Sequence, residues 1–484
     1  MESAPCRGHN DRRMKVLVIG GGICGLGTAL LLARDGHDVT VLERDRDPCP
    51  DSPTAAWDTW QRKGVAQFRQ PHNFMPGLRR LLEEELPDVQ EALRDAGASR
   101  YDLLHPLPPS ITDAAPRAID DQLWTYTARR PVGEWVFGRV VERERNITVR
   151  RGTRVAGLIA GTQAFDGAPH VEGVRADDGE EFRADLVIDA SGRQSHAPAW
   201  LQALAARPPY EAQTDSGFMY FTRYFTGPQT PDRRGPTLTA LGTISLLTLP
   251  GDNSTWSVTA FAAAGDQPLK NLRHAERWTS VVRACPLHAH WTDGEPITDV
   301  LAMSGVTDRY RRFVVAGSPV ATGLVAVADA WACTNPSAGR GLTIGFIHAR
   351  LLRDVLRETG GHPLRVAEEF DRRTESEVRP WYDAQFVTDR ARYAEMDALR
   401  EGRTPPAPTD PLCLSIVSLM RAMGADPDLF RAGLEYIGTL APIQAILNRP
   451  DVRERVRAAH ERMQHFAPPP VPGPSRPQLL ELVG

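Results

Sequence analysis

The chain has six cysteines in 484 residues, and no two stand at C-x-x-C spacing. That pattern excludes zinc ribbons and dithiol redox pairs and fits a reducing cytoplasm better than a disulfide scaffold. No run of about 18 uncharged apolar residues occurs, so no transmembrane helix is expected. The basic N-terminal stretch lacks an apolar segment behind it, so no signal peptide is expected. Basic and acidic residues number 57 and 61, a net charge of −4, which gives no electrostatic footprint for nucleic acid. There is no internal repeat, and no metal site is expected.

What is present is ordinary for a soluble globular protein: 41% hydrophobic and 24% charged residues. The length calls for two or three domains. Residues 14–43 read as a βαβ unit: KVLVIG is a short apolar strand, GGICGLG a glycine turn, TALLLARDG a helix stopped at Gly36, and DVTVLE a second strand. Residues 45–63 read as a Pro/Asp-rich loop. Phe74, Leu78, Leu81, Leu82 and Leu86 recur at helical spacing and predict helical structure over 74–97. The stretch from NITVRR to DLVIDASG predicts strands and hairpins, with a turn at DDG. Residues 216–262 predict an antiparallel sheet in which Phe221 and Arg223 share one face, and Tyr220 and Tyr224 the other. The last eighty or so residues read as helical, broken by TPPAPTDP and PPPVPGPSRP. Val452, Val456, Ala459 and Met463 form an apolar stripe expected to pack on the body.

Three motifs carry chemistry. Gly20, Gly22 and Gly25 satisfy G-x-G-x-x-G between a strand and a helix. The first permits a tight turn, the second lets the backbone approach a pyrophosphate, and the third lets the helix pack on the sheet. The helix start offers free N–H groups to phosphate. Glu43 ends the second strand, where a carboxylate accepts hydrogen bonds from a ribose. It disfavours a 2′-phosphate, so this site takes NAD or FAD rather than NADP. Cys24, inside the loop, is read as merely small enough to fit. The second motif, DLVIDASGRQS, is a strand ending at Asp189. The third, ADAWACTNPSAGRGL, places Asp329 after an apolar strand and a glycine loop before a helix. A plain NAD domain needs neither of these. Asp329 suits a ribityl hydroxyl, and the loop can aim backbone N–H groups at a flavin edge that becomes negative on reduction.

In this order the motifs resemble the FAD-dependent monooxygenases of the p-hydroxybenzoate hydroxylase fold, and within them bacterial epoxidases and hydroxylases of polyketide tailoring. GVAQFRQPH (Gly64 to His72) stands for their GVPQ-x-R-H-x-H loop, and Arg129-Arg130-Pro131 for their SRP start. The resemblance spans roughly residues 14–355. It implies an α/β fold: a Rossmann-like FAD-binding domain, an inserted antiparallel-sheet substrate domain and a helical C-terminal region. The expected FAD-binding parts are 14–100, 127–199 and 301–360. Residues 101–126 and 200–300 form the substrate domain, and 361–484 the helical region with a Pro-rich tail.

Carried over by resemblance, Gly20, Gly22 and Gly25 contact the pyrophosphate, Glu43 binds the adenosine ribose with Arg44 beside it, and Val155 meets the adenine through its backbone. Asp329 binds the ribityl–pyrophosphate region, and Pro336, Gly339, Arg340 and Gly341 lie by the isoalloxazine. Arg69 and Arg130 are flavin-side contacts. The pattern departs from the family at three places. Ala328 replaces a glycine. The arginine on the helix after SRP falls on Gly138, with Arg139 adjacent. Gln70 replaces a histidine, so His72 is not named as catalytic, and no catalytic residue is assigned.

The implied activity is hydroxylation or epoxidation of an apolar or aromatic small molecule, in secondary metabolism, through a flavin C4a-hydroperoxide. The aromatic strand around Phe218–Phe225 is expected to face the substrate. There is no second G-x-G-x-x-G. NADPH or NADH therefore either docks on the FAD domain or acts through a partner flavin reductase. Three alternatives share the fold: a geranylgeranyl-reductase-like oxidoreductase acting on C=C bonds, a flavin halogenase, whose W-x-W-x-I-P signature is absent, and a non-enzymatic escort of lipidated proteins.

Overall fold

The computed structural model of the chain describes residues 13–165, 167–215, 217–463 and 472–484. The basic N-terminal stretch with Cys6, the side chain of Met463 and much of the Pro-rich tail lie outside the described residues.

Five short parallel strands form the centre, in the order Leu324–Ala326, Leu186–Asp189, Lys15–Ile19, Asp38–Glu43 and Ile147–Arg151. Leu324–Ala326, Leu186–Asp189 and Lys15–Ile19 are near-continuous buried runs because both faces of the sheet are covered there, whereas the edge strand Ile147–Arg151 alternates. One face carries the helices Ile23–Arg34, Arg130–Val141 and Gly341–Thr359, which share a core that includes Ile23, Leu26, Val136 and Phe346. Gly27 lets two of them approach: a Cβ there would meet the Phe346 ring at 2.3 Å. The other face packs Leu17 and Leu42 on Val171 and Val174 of an antiparallel sheet. That sheet comprises Val155–Phe165, Ala168–Ala176 and Glu181–Arg183. Its DDG turn closes with Gly179 at φ +93°.

The inserted antiparallel sheet runs Leu238–Leu241, Ile244–Pro250, Thr255–Ala263, Phe218–Thr226, with Leu301–Met303 also on the last of these. Its two faces are as the alternation predicts. Met219, Phe221 and Phe225 pack with Trp256, Trp278 and the terminal helix Arg476–Val483 through Leu479 and Val483. Phe218 and Tyr220 face Met396 of the long helix Arg379–Arg400. The terminal helix thus packs on the antiparallel sheet rather than on the parallel one. Val452, Val456 and Ala459 are buried in the main core.

One segment differs from expectation. The loop over 45–63 contains a helix, Pro53–Asp58, whose start is capped by Ser52 accepting from the Ala55 N–H at 3.1 Å. The helical stretch over 74–97 is two helices, Met75–Glu85 and Pro87–Asp95. Pro87 has no N–H to continue the ladder, so the apolar spacing carries on through a bend.

Candidate functional site

The C-terminal ends of the central strands open onto one cleft of about 1800 Å³, counting its open mouth. Such an edge is where open α/β sheets bind ligands.

At one end stands the glycine turn. Gly20 has φ +106°, and a Cβ on it would sit 2.6 Å from the Ala190 carbonyl oxygen. A Cβ on Gly25 would sit 2.0 Å from the oxygen of Gly20. At Gly22 the same atom would reach nothing nearer than Glu134 Oε1 at 4.0 Å, so that position borders open space. The helix that starts at Ile23 has no side-chain cap. Its first N–H groups are free for an anion.

Glu43 closes this end. Its Oε2 accepts from Gly21 N–H at 2.8 Å and from Arg62 Nη2 at 2.7 Å, and its Oε1 accepts from Asp45 N–H at 2.8 Å. Arg62, with a side chain 1% exposed, also pairs with Asp45 at 3.1 Å and Glu134 at 3.2 Å. Glu134 is shared with Arg130 at 2.7 Å. This buried network was not legible from the motifs, although Arg130 and Glu134 stand one helical turn apart, a spacing that signals pairing. Arg44 is exposed and donates to Gln194 Oε1 at 2.9 Å, and Val155 lines the wall below. Gly138 packs its helix on Cys49: a Cβ there would be 2.9 Å from the sulfur, which leaves no room for an arginine. Arg139 points outward to Glu142 at 2.7 Å.

At the other end stands the loop that follows the strand Leu324–Ala326. Asp329 lines the cleft, and a Cβ on Gly341 would lie 4.0 Å from its Oδ1. Burial raises the Asp329 carboxyl above its ordinary range, and Arg130, Arg193 and Arg309 pull it back down. Pro336, Gly339 and Gly341 also border the cleft. Asn335, only 2% exposed, lines it as well, and neither of its side-chain amide atoms has a hydrogen-bond partner among the described residues. The helix Gly341–Thr359 begins here, again without a side-chain cap. Two uncapped helix starts therefore border one cleft.

Arg69 and Arg340, expected beside the flavin, do not line the cleft. Arg69 lies 4.8 Å over the Trp57 ring and donates to the carbonyls of Trp57 and Trp60. Arg340 turns outward to the C-terminal helices, 4.1 Å over the Tyr436 ring, and donates to the Tyr436 carbonyl at 3.2 Å. Both guanidinium groups stack on aromatic faces. The other proposed contacts, Gly20 to Gly341, border the same space.

Two groups that titrate elsewhere are silent here. Burial, with Arg130 beside it, lowers His72 to about 3, and its Nδ1 sits 2.9 Å from the Gln70 carbonyl oxygen. Burial raises the Cys24 thiol to about 12. Neither is equipped to exchange protons near neutral pH. Asp189, buried at the end of its strand, accepts from Ser191 N–H at 3.0 Å and from Ser195 Oγ at 2.5 Å. It fixes the turn against which Gly20 packs.

Residues 15–97 match the model of the family described as FAD dependent oxidoreductase. That match covers the glycine turn and the strand that ends at Glu43. It is 25% identical over 362 residues to "Protein Rv3254" of Mycobacterium tuberculosis (strain ATCC 25618 / H37Rv), covering 70% of this chain and 72% of the relative. Among solved structures it superposes on the Diels-Alderase PyrE3 of pyrroindomycin biosynthesis with a TM-score of 0.58, at 17% identity, over 88% of this chain and 80% of that one. PqsL of Pseudomonas aeruginosa, a probable FAD-dependent monooxygenase, gives 0.55 at 15% identity, over 80% and 97%. The flavin-dependent brominase Bmp2 gives 0.55 at 14% identity, over 93% of each chain. The chain thus has the fold that these solved structures share. Its residues fit the cofactor: an open glycine cradle, two uncapped helix starts, an acid at the end of the second strand, and an unpartnered amide at the far end.

Proposed function

We propose that the protein is an FAD-dependent monooxygenase that hydroxylates or epoxidises an apolar or aromatic small molecule in the cytoplasm. The observation that carries this reading is the single cleft bordered by the glycine turn at one end and the Asp329–Gly341 loop at the other. One ligand long enough to reach both, phosphates at one end and ring at the other, accounts for both. FAD supplies the electron and oxygen chemistry when bound.

The chain's own residues bind, orient and shield. The helix start at Ile23 meets the pyrophosphate, and Glu43, held rigid by Arg62, accepts from the adenosine ribose. Asp329 accepts from the ribityl chain. The helix start at Gly341 presents positive dipole to the ring edge that gains charge. Met303 reaches the cleft from the inserted sheet, where it pairs in register with Tyr220, so the substrate domain roofs the loop end. That roof excludes water from the reacting centre. Reduced nicotinamide, NADPH or NADH, would supply the electrons, directly or through a flavin reductase.

PyrE3 and Bmp2 are reminders that this fold hosts more than one reaction. The test is oxygen reactivity. The FAD-loaded protein is photoreduced without oxygen and mixed with oxygen in a stopped-flow spectrometer. A transient absorbance that precedes return of the oxidised flavin band supports oxygenation. Direct return, with or without candidate alkenes and aromatics, favours an enzyme that reduces C=C bonds.

A further inference from the structure

A buried polar cluster lies behind the loop that closes the cleft, and the chemistry described above leaves it unused. Asp389, on the helix Arg379–Arg400, is 4% exposed. Its Oδ1 accepts from Ser337 Oγ at 2.5 Å, and its Oδ2 accepts from Gln385 Nε2 at 2.8 Å. Gln385 Nε2 also reaches Ser337 Oγ at 2.9 Å. Ser337 stands between Pro336 and Gly339, both of which border the cleft. From the strand Thr307–Arg312, Asp308 accepts from the neighbouring Asn335 N–H at 2.8 Å. Tyr220, from the inserted sheet, brings a buried hydroxyl with no hydrogen-bond partner among the described residues.

Among the described residues no cation makes an ion pair with Asp389, whose hydrogen bonds come from Ser337 and Gln385. Three charged or titratable groups act on it or are acted on by it: Asp308, Arg340 and Tyr220. Burial raises its carboxyl to about 7; the Ser337 and Gln385 hydrogen bonds oppose that rise, Asp308 adds to it and Arg340 subtracts. A buried carboxyl with no paired cation responds to any new charge placed nearby. The loop end of the cleft is where the proposed cofactor gains charge.

We propose that Asp389 is the redox-linked proton acceptor of the cleft. A two-electron donor of the nicotinamide or dithionite class reduces the bound flavin. The ring gains negative charge, and the Asp389 carboxylate takes one proton from water to become a neutral carboxyl, offsetting that charge. No bond to carbon changes, and the electrons stay on the flavin. Asp389 acts across Ser337 and touches neither substrate nor ring. Its role is to set the energy of the reduced state. The inference rests on FAD occupying the cleft with its ring at this loop.

The test is the midpoint potential of the FAD-loaded protein between pH 5.5 and 8.5, poised with dithionite and dye mediators. One extra proton per two electrons changes the reduction equilibrium tenfold per pH unit, about 30 mV. The wild type is expected to show a segment around neutral pH that is steeper by that amount. Asp389→Asn is expected to lack it. Gln385→Leu keeps the carboxyl but removes a donor that favours its charged form, so the steep segment moves to higher pH; this variant serves if Asp389→Asn loses its FAD. Equal slopes in wild type and Asp389→Asn, or a Gln385→Leu profile superimposable on wild type, would overturn the proposal. Failure of the wild type to bind FAD would instead overturn the cofactor assignment beneath it.

Discussion

Between Gly20 and Glu43 the chain builds one end of its cleft almost from local sequence. A strand, a turn that only glycine permits, a helix and a second strand follow one another, and Gly21 N–H bonds straight to Glu43. The other end is assembled from distance. The loop from Asn335 to Gly341 is held by Asp308 from one strand, by Gln385 and Asp389 from a later helix, and by Tyr436 from a later one still. The first end depends on backbone geometry, the second on buried side chains. The two should therefore break in different ways.

The largest effect is expected at Arg62, which ties the local end to residues distant in sequence. Arg62→Ala leaves Glu43 and Glu134 buried beside each other with less positive charge. A loss of about 3–5 kcal/mol in denaturant unfolding is expected. A loss below about 1 kcal/mol would mean that water or Arg130 replaces it. Next, Gly25→Val drives a side chain into the Gly20 carbonyl. FAD affinity should fall ~100-fold or more, roughly 3 kcal/mol, by fluorescence titration.

The distant end is sensitive to pH. Asp389 is raised from 3.8 to about 7 by burial, so the native state holds a proton that the unfolded chain has lost. The stability this contributes is full below the unfolded value, declines as pH rises through the window, and is gone above the folded value. The unfolding free energy of Asp389→Asn relative to wild type should therefore climb from pH 4 to 7 and then level off, a difference of about 4 kcal/mol. A difference that is flat with pH would contradict the placement of Asp389. The smallest effect is expected at Arg340. Arg340→Leu removes its stacking on Tyr436, about 1 kcal/mol in stability, and should weaken FAD binding only a few-fold by titration.

The same contrast explains what the sequence disclosed. The βαβ unit, the alternation in Phe218–Thr226 and the residues bordering the cleft were legible, because each depends on spacing along a short segment. Arg69 and Arg340 do not border the cleft, because a motif fixes the backbone while aromatic rings from elsewhere, Trp57 and Tyr436, capture the guanidinium groups. Arg62 and Asp389 carried no local signal. One lies in a stretch that reads as loop, the other on an unremarkable helix face, and only the fold brings their partners together. The break at Pro87 could have been read, since proline cannot donate to the ladder.

The most direct test is to titrate the purified protein with FAD and follow flavin fluorescence, with Gly25→Val alongside. One FAD per chain, retained through gel filtration and lost in Gly25→Val, is the predicted result. No binding, or equal binding by Gly25→Val, would contradict the assignment of this cleft to the cofactor.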